Sequence, residues 1–155
     1  MDARKKATFG AGCFWGVEEA FRKVEGVIDT EAGFMGGAGD NPGYMDVRTG
    51  ETGHAEVVQI VFDPSRVSYQ DLLEVFWDIH DPTTPDRQGP DVGTQYRSAI
   101  FYHDQEQRGV AETSKRAVDA SGRFPGKIVT EISPASIFWR AEEYHQRYFE
   151  RRREE

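Results

Sequence analysis

The sequence predicts an α+β fold: a two-layer sandwich of helices on a mixed sheet, with a ferredoxin-like, split β-α-β core. Three observations predict it. Short elements of alternating type succeed one another as β-α-β-β-α-β-α-β-α, and the first six match the split β-α-β plan. The helical segments each carry one apolar stripe, as helices covering a sheet must. Finally, no repeat, low-complexity stretch or linker divides the 155 residues. A chain of that length buries roughly 68–70% of its unfolded surface, so residues 1–155 are expected to form a single domain.

The elements follow in order. "ATFGAG" reads as a strand running into a glycine turn. Val17, Ala20, Phe21 and Val24 then fall at i, i+3, i+4 and i+7, giving a helix with Glu18, Glu19, Arg22 and Lys23 toward water. Ile28, Thr30, Ala32 and Phe34 alternate with Asp29, Glu31 and Gly33 as a half-buried strand. "HAEVVQIVF" is a strand apolar on both faces at its centre. "SYQDLLEVFWDIHD" is a helix capped by Ser68 with Asp71, its stripe being Tyr69, Leu72, Leu73 and Phe76. "SAIFY" is a strand. "DQEQRGVAETSKRAVDAS" is a helix with Val110, Ala111, Ser114, Ala117 and Val118 inward, ending at Gly122. "KIVTEI" is a strand, and "AEEYHQRYFERR" reads as a closing helix. Two long polar stretches, "GGAGDNPGYMDVRTGETG" and "DPTTPDRQGPDVGTQ", resist assignment. Loops of that length in a compact domain are functional or disordered, and Tyr44 and Tyr96 in or beside them favour function.

Composition excludes several classes. The net charge of -8 argues against a nucleic-acid binder. The basic run Arg151 to Arg153 is flanked by Glu150, Glu154 and Glu155 and reads as a solvated helix end. No apolar run approaches the roughly 20 residues of a membrane span. "MDARKKATFG" lacks the hydrophobic stretch of a signal peptide. One cysteine forms no internal disulfide, which points to a reducing, cytoplasmic location. No exposed apolar stripe demands a dimer, so a monomer is expected.

That cysteine, Cys13, lies where the first strand turns into the first helix, within "GAGCFWG". Free N–H groups and the positive end of the helix dipole favour an anion there, so the thiol pKa should fall. Gly10, Gly12 and Gly16 would let backbone come close to whatever occupies the site. Phe14 and Trp15 follow; they form an apolar wall beside the thiol, or Phe14 packs inward and Trp15 is incidental. Glu56 shares a strand face with Val58, Ile60 and Phe62. Desolvated there, it would be a neutral acid near pH 7; at the open strand end it would be wet. His54, on the same face, is a base for Cys13 or a partner within its loop, and the loop reading is preferred. His80, His103 and His145 have no metal spacing with one another or with Cys13. "GFMGGAGDNPG" lacks the third glycine of a dinucleotide fingerprint and the Lys-Ser or Lys-Thr pair of a phosphate loop, so it reads as a shaped loop presenting Tyr44.

Four stretches in series, "GCFWG" (Gly12 to Gly16), "TGHAE" (Thr52 to Glu56), "VFWDIHDPT" (Val75 to Thr83) and "GTQYRS" (Gly93 to Ser98), resemble methionine sulfoxide reductase A. The resemblance runs from about Ala7 to Phe149. It implies an α+β sandwich and reduction of the S epimer of methionine sulfoxide, free or in proteins. By position, Cys13 matches the nucleophile that attacks the sulfoxide sulfur and is left as sulfenic acid. Glu56 matches the acid that protonates the sulfoxide oxygen, and Tyr44 and Tyr96 the hydroxyls that bind it. Phe14 and Trp15 match the pocket for the S-methyl group, and Asp91 a polar residue organising the site. No bound cofactor or metal is implied. Many family members resolve the sulfenic acid with further cysteines; this sequence has none, so an external thiol is expected. Thioredoxin, a glutaredoxin with a small thiol, or a small thiol alone would serve. The rival readings are a cysteine hydrolase or acyl transferase using Cys13, His54 and Asp91, and a non-catalytic methionine-binding pocket.

Overall fold

The computed structural model describes residues 4–37, 43–44, 47 and 52–150. Most of the first glycine-rich loop and the basic run 151–153 lie outside them. In chain order come strand β1 (Lys5–Ala11), helix α1 (Phe14–Arg22), strands β2 (Val27–Met35) and β3 (Ala55–Phe62), and helix α2 (Tyr69–Asp78). Then follow the two-residue strands β4 (Arg87–Gln88) and β5 (Asp91–Val92), strand β6 (Ser98–Tyr102), helix α3 (Gln105–Ala120), and strands β7 (Glu131–Pro134) and β8 (Trp139–Arg140).

The main sheet has the order β7-β6-β1-β3-β2-β8. β1 is antiparallel to both β3 and β6, and β3 is antiparallel to β2. β1 and β2 therefore run the same way with β3 between them, which is the expected split β-α-β core. β6 and β7 are parallel, which makes the sheet mixed.

One sheet face carries the main core. Phe9 of β1 meets Phe21 of α1 at 5.4 Å and Phe76 of α2 at 5.2 Å between ring centroids. Leu72, Leu73 and Trp77 complete the α2 contribution, and Trp77 donates its indole N–H to Ser114 Oγ of α3 at 2.8 Å. The Ser68–Asp71 capping box is present as expected. On the other face, Met35, Ala55, Val57, Ala99 and Phe101 are covered by Ala135 and Phe138 rather than by a helix. That strap lies directly on Gly33, where a Cβ would come within 2.5 Å of the Phe138 ring.

Several expectations need correction. A bulge between Val27 and Asp29 turns Ile28 outward, to 43% exposure. Glu18 faces inward at 1% exposure, because Thr30 and Arg147 supply it with donors. Ala117 is exposed and Gln107 is buried instead, donating to Lys6 O at 2.7 Å. The "KIVTEI" strand is shifted to Glu131–Pro134. The closing helix is broken: a 3₁₀ turn spans Glu143–His145, and Arg147 adopts a left-handed φ of 51°. "DPTTPDRQGPDVGTQ" is built structure, a β4–β5 hairpin followed by a 3₁₀ turn at Thr94–Tyr96. Among the described residues no helix is long and apolar enough to cross a membrane.

Candidate active site

The site lies at one end of the sheet, where β1 ends, β3 begins and β6 begins. Cys13 is the N-cap of α1, with φ -58° and ψ 122°, and its thiol is half-buried. Gly12 before it has φ 96°, and a Cβ there would sit 2.7 Å from Gln88 Cγ. Glycine is thus required where the β1–α1 turn passes under the hairpin. Gly10 is similarly tight, between the carbonyls of Glu56 and Arg97, each 3.3 Å from a built Cβ. A Cβ on Gly16 would meet no protein atom within 4 Å.

The thiol does not behave as the helix terminus alone suggested. The backbone N–H groups of Trp15 and Gly16 do lower its pKa. Burial outweighs them, and with the charges of Glu56 and Asp91 pushes the thiol up to about 11. In the free protein Cys13 is therefore a neutral thiol at pH 7. The expectation of a lowered pKa is overturned by desolvation and two neighbouring carboxylates.

Glu56 is 1% exposed, on the face it shares with Val58, Ile60 and Phe62. Of the two readings its position allowed, the buried one holds. Oε1 accepts the N–H of Phe14 at 3.2 Å, satisfying a free donor at the start of α1. That bond favours the carboxylate, but burial outweighs it and raises the pKa to about 7, with Asp91 adding to the rise. At neutral pH a substantial fraction of Glu56 is an uncharged acid.

The phenol of Tyr96, in the turn after β5, feels Glu56, Tyr44, Asp91 and Cys13, and burial first and these neighbours second raise it to about 12. Cys13, Glu56, Tyr44 and Asp91 thus all lie close enough to act on the Tyr96 phenol. Arg97 holds its loops in place, donating to the carbonyls of Gly53 and Thr94, both at 2.9 Å.

Phe14 is fully buried, its ring 5.7 Å from Phe34 and 6.3 Å from Tyr44. Trp15 is not incidental: its ring stacks on Tyr148 at 4.0 Å, nearly parallel at 10°. Its Nε1–H donates to His145 Nδ1 at 2.9 Å. His54 precedes β3, and its buried ring Nδ1 has no hydrogen-bond partner among the described residues, so the side-chain bond expected within the loop is not seen there. Its backbone N–H donates to Thr52 Oγ1, and its ring packs where a Cβ on Gly37 would lie, 2.5 Å away. Burial, and after it the charge of Arg97, holds the imidazole pKa below its ordinary range.

The C-terminal segment packs on Phe14, Trp15 and Tyr44, a role not expected from its sequence. Glu142 accepts the backbone N–H of Tyr44 at 3.3 Å, His145 touches four aromatic rings, and Tyr148 stacks on Trp15. A signal was available: "EYHQRYF" packs three aromatics and a histidine into seven residues, which is too aromatic for a solvated helix end.

A half-buried thiol whose charged neighbours are a buried acid and Asp91, with two phenols in the same electrostatic cluster, marks a cysteine-centred candidate site. A model of the peptide methionine sulfoxide reductase family matches residues 5–155, and the chain belongs to that family. It is 65% identical over 148 residues to the peptide methionine sulfoxide reductase MsrA of Methanoculleus marisnigri, covering 96% of this chain and 90% of the relative. Among solved structures, reduced Mxr1 from Saccharomyces cerevisiae superimposes with a TM-score of 0.89 at 34% identity, over 99% of this chain and 88% of that one. Mxr1 in complex with Trx2 matches at 0.65 and 26% identity, over 94% and 85%. The resemblance read from the sequence is thereby confirmed: the chain is an oxidoreductase that reduces methionine sulfoxide.

Proposed function

We propose that Cys13 attacks the sulfoxide sulfur while Glu56 protonates its oxygen, and that the enzyme takes the S epimer. The observation that carries this is Glu56: a carboxyl at 1% exposure, poised near pH 7, whose charge reaches the Cys13 thiol. A hydrolase needs a base beside its nucleophile; a sulfoxide reductase needs an acid beside the oxygen.

The sulfoxide sulfur is a poor electrophile until its oxygen is protonated or strongly hydrogen-bonded. Glu56 gives its proton to that oxygen, and the Tyr44 and Tyr96 hydroxyls donate to it, as donors in an oxyanion hole do. The Cys13 sulfur forms a bond to the substrate sulfur, and its own proton passes to the Glu56 carboxylate. The S–O bond then breaks. The oxygen leaves as hydroxide and bonds to Cys13 Sγ while the Cys13–sulfur bond opens with its electron pair on methionine, so Cys13 is left as sulfenic acid. Substrate sulfur is reduced by two electrons and cysteine sulfur is oxidised by two. The active form carries both protons, on Glu56 and on Cys13, which fits a thiol held near 11.

Trp15, backed by Phe14, would receive the S-methyl group, and Asp91 would help order the pocket. With the methyl on that wall, the oxygen on the acid side and the remaining carbon toward solvent, a pyramidal sulfur fits in one handedness only.

With one cysteine in the sequence, the sulfenic acid is resolved by an outside thiol. That thiol displaces water to form a mixed disulfide, and a second thiol releases Cys13. Trx2 bound to Mxr1 supports a thioredoxin-type protein in this role. Glutaredoxin with a small thiol is the competitor, and a reducing, cytoplasmic compartment supplies either. Steady-state turnover with thioredoxin against glutaredoxin plus a small thiol tests the assignment; turnover only with the second pair would replace it.

A further inference from the structure

We propose that His145, as a neutral imidazole protonated on Nε2, is the positioning residue for Trp15, and that protonating it weakens substrate binding without slowing the chemical step. The inference rests on the reading of Trp15 as the wall for the S-methyl group.

An indole N–H is only ever a donor, so the Nδ1 that receives it at 2.9 Å must carry its lone pair. The neutral ring then has its proton on Nε2. His145 is 1% exposed, and Nε2 is buried with no hydrogen-bond partner among the described residues. The ring touches Phe14 at 5.2 Å and Tyr44 at 4.3 Å, and Tyr144 lies against it at 4.1 Å. These facing groups are uncharged aromatics. The charge that reaches the ring is Glu142, on its own segment, and burial outweighs it, so the pKa lies below the ordinary imidazole range.

The ring has little freedom to adjust. Gln146 binds the backbone of Ala32 through both ends of its amide, at 2.8 Å each, and also donates to Ala141 O at 2.9 Å. Next to it, the Arg147 N–H donates to Glu18 Oε1 at 2.6 Å. These two anchors tie the segment to β2 and α1. When Nδ1 gains a proton, two N–H groups face each other, and the indole loses its acceptor while the segment stays in place. Glu56 only becomes more protonated as pH falls, so the acid loss belongs to KM rather than to kcat.

The test uses the full chain labelled with ¹⁵N. The hydrogen bond predicts a through-bond coupling between Trp15 Nε1 and His145 Nδ1 at pH 7.5, assigned by its absence in Trp15→Phe. It should disappear as acid titrates His145. In parallel, KM and kcat for free methionine sulfoxide are compared in His145→Leu and His145→Asn. Both variants lose the ring, but only Asn keeps an oxygen near the Nδ1 position. Leu should raise KM about five- to tenfold with kcat within about twofold, and Asn should recover most of the loss. No coupling in the wild type, an unchanged KM in Leu, or an Asn no better than Leu would overturn the proposal. A wild type that reduces no sulfoxide sinks the reductase reading instead, a result told apart because the wild-type enzyme itself is inactive.

Discussion

The Glu56 carboxylate accepts the backbone N–H of Phe14 at 3.2 Å, which ties the buried carboxyl to the first turn of the helix that Cys13 caps. Acid and thiol are thus positioned by one joint between β3 and α1. Glu56→Gln keeps an acceptor for that N–H and removes only the ionisable proton. Turnover should fall about 10²–10³-fold, while each turnover still yields one methionine. An unchanged rate would remove Glu56 from the acid role.

The same carboxyl sets the pH dependence. The proposed acid role needs the protonated form, so kcat should decline as pH rises through about 7. A rate profile from pH 5 to 9 checks this. In Glu56→Gln the residual rate should show no such decline; the same limb in both proteins would assign it to another group.

Stability should follow the opposite logic from an ordinary surface carboxylate. The folded pKa of Glu56 is raised from 4.5 to about 7, so the folded state prefers the protonated form. Its contribution is complete below pH 4.5 and is lost as pH rises through about 7, amounting to about 3 kcal/mol. Glu56→Gln should therefore be more stable than wild type at pH 8.5 and similar at pH 4. Urea midpoints at both pH values measure the difference, and parallel curves would contradict it.

The free thiol should be sluggish. With its pKa near 11, Cys13 should react with iodoacetamide slowly at pH 7, with a midpoint for alkylation far above that of a small thiol. Removing the Glu56 charge should lower that midpoint. A wild-type midpoint below 8.5 would restore the helix-dipole expectation.

Much of this site was readable from residue order alone. The β1–α1 turn places Cys13 with only local rules, and the period of two along β3 put Glu56 among Val58, Ile60 and Phe62. What was hidden depends on long-range partners. Glu18 looked solvent-facing because no local pattern announces Thr30 and Arg147. The closing segment looked helical because its composition is helix-favouring, yet Gln146 leaves the helix to bind β2. The thiol pKa was misjudged for the same reason: the helix N–H groups are visible in sequence, whereas burial and the approach of Asp91 are not.

Glu18 offers a direct test of that hidden anchor. It accepts from Thr30 Oγ1 at 2.7 Å in the interior and from the Arg147 N–H at 2.6 Å in a half-buried position. Glu18→Ala orphans both donors and should cost about 3 kcal/mol in urea denaturation. Amide exchange over residues 143–150 should quicken as well. A loss below about 0.5 kcal/mol with unchanged exchange would show that the segment is held by its other contacts.

The central claim is that Cys13 takes up the oxidising equivalent of the sulfoxide with no second thiol in the chain. The most direct measurement is a single turnover: protein mixed with one equivalent of S-methionine sulfoxide and no reductant, then treated with a sulfenic-acid trap and analysed by mass spectrometry. The account predicts one methionine per chain and the trap attached to Cys13, with neither in Cys13→Ser. Methionine formed without a trappable Cys13, or a Cys13 inert to the sulfoxide but acylated by one equivalent of an activated ester, would contradict it.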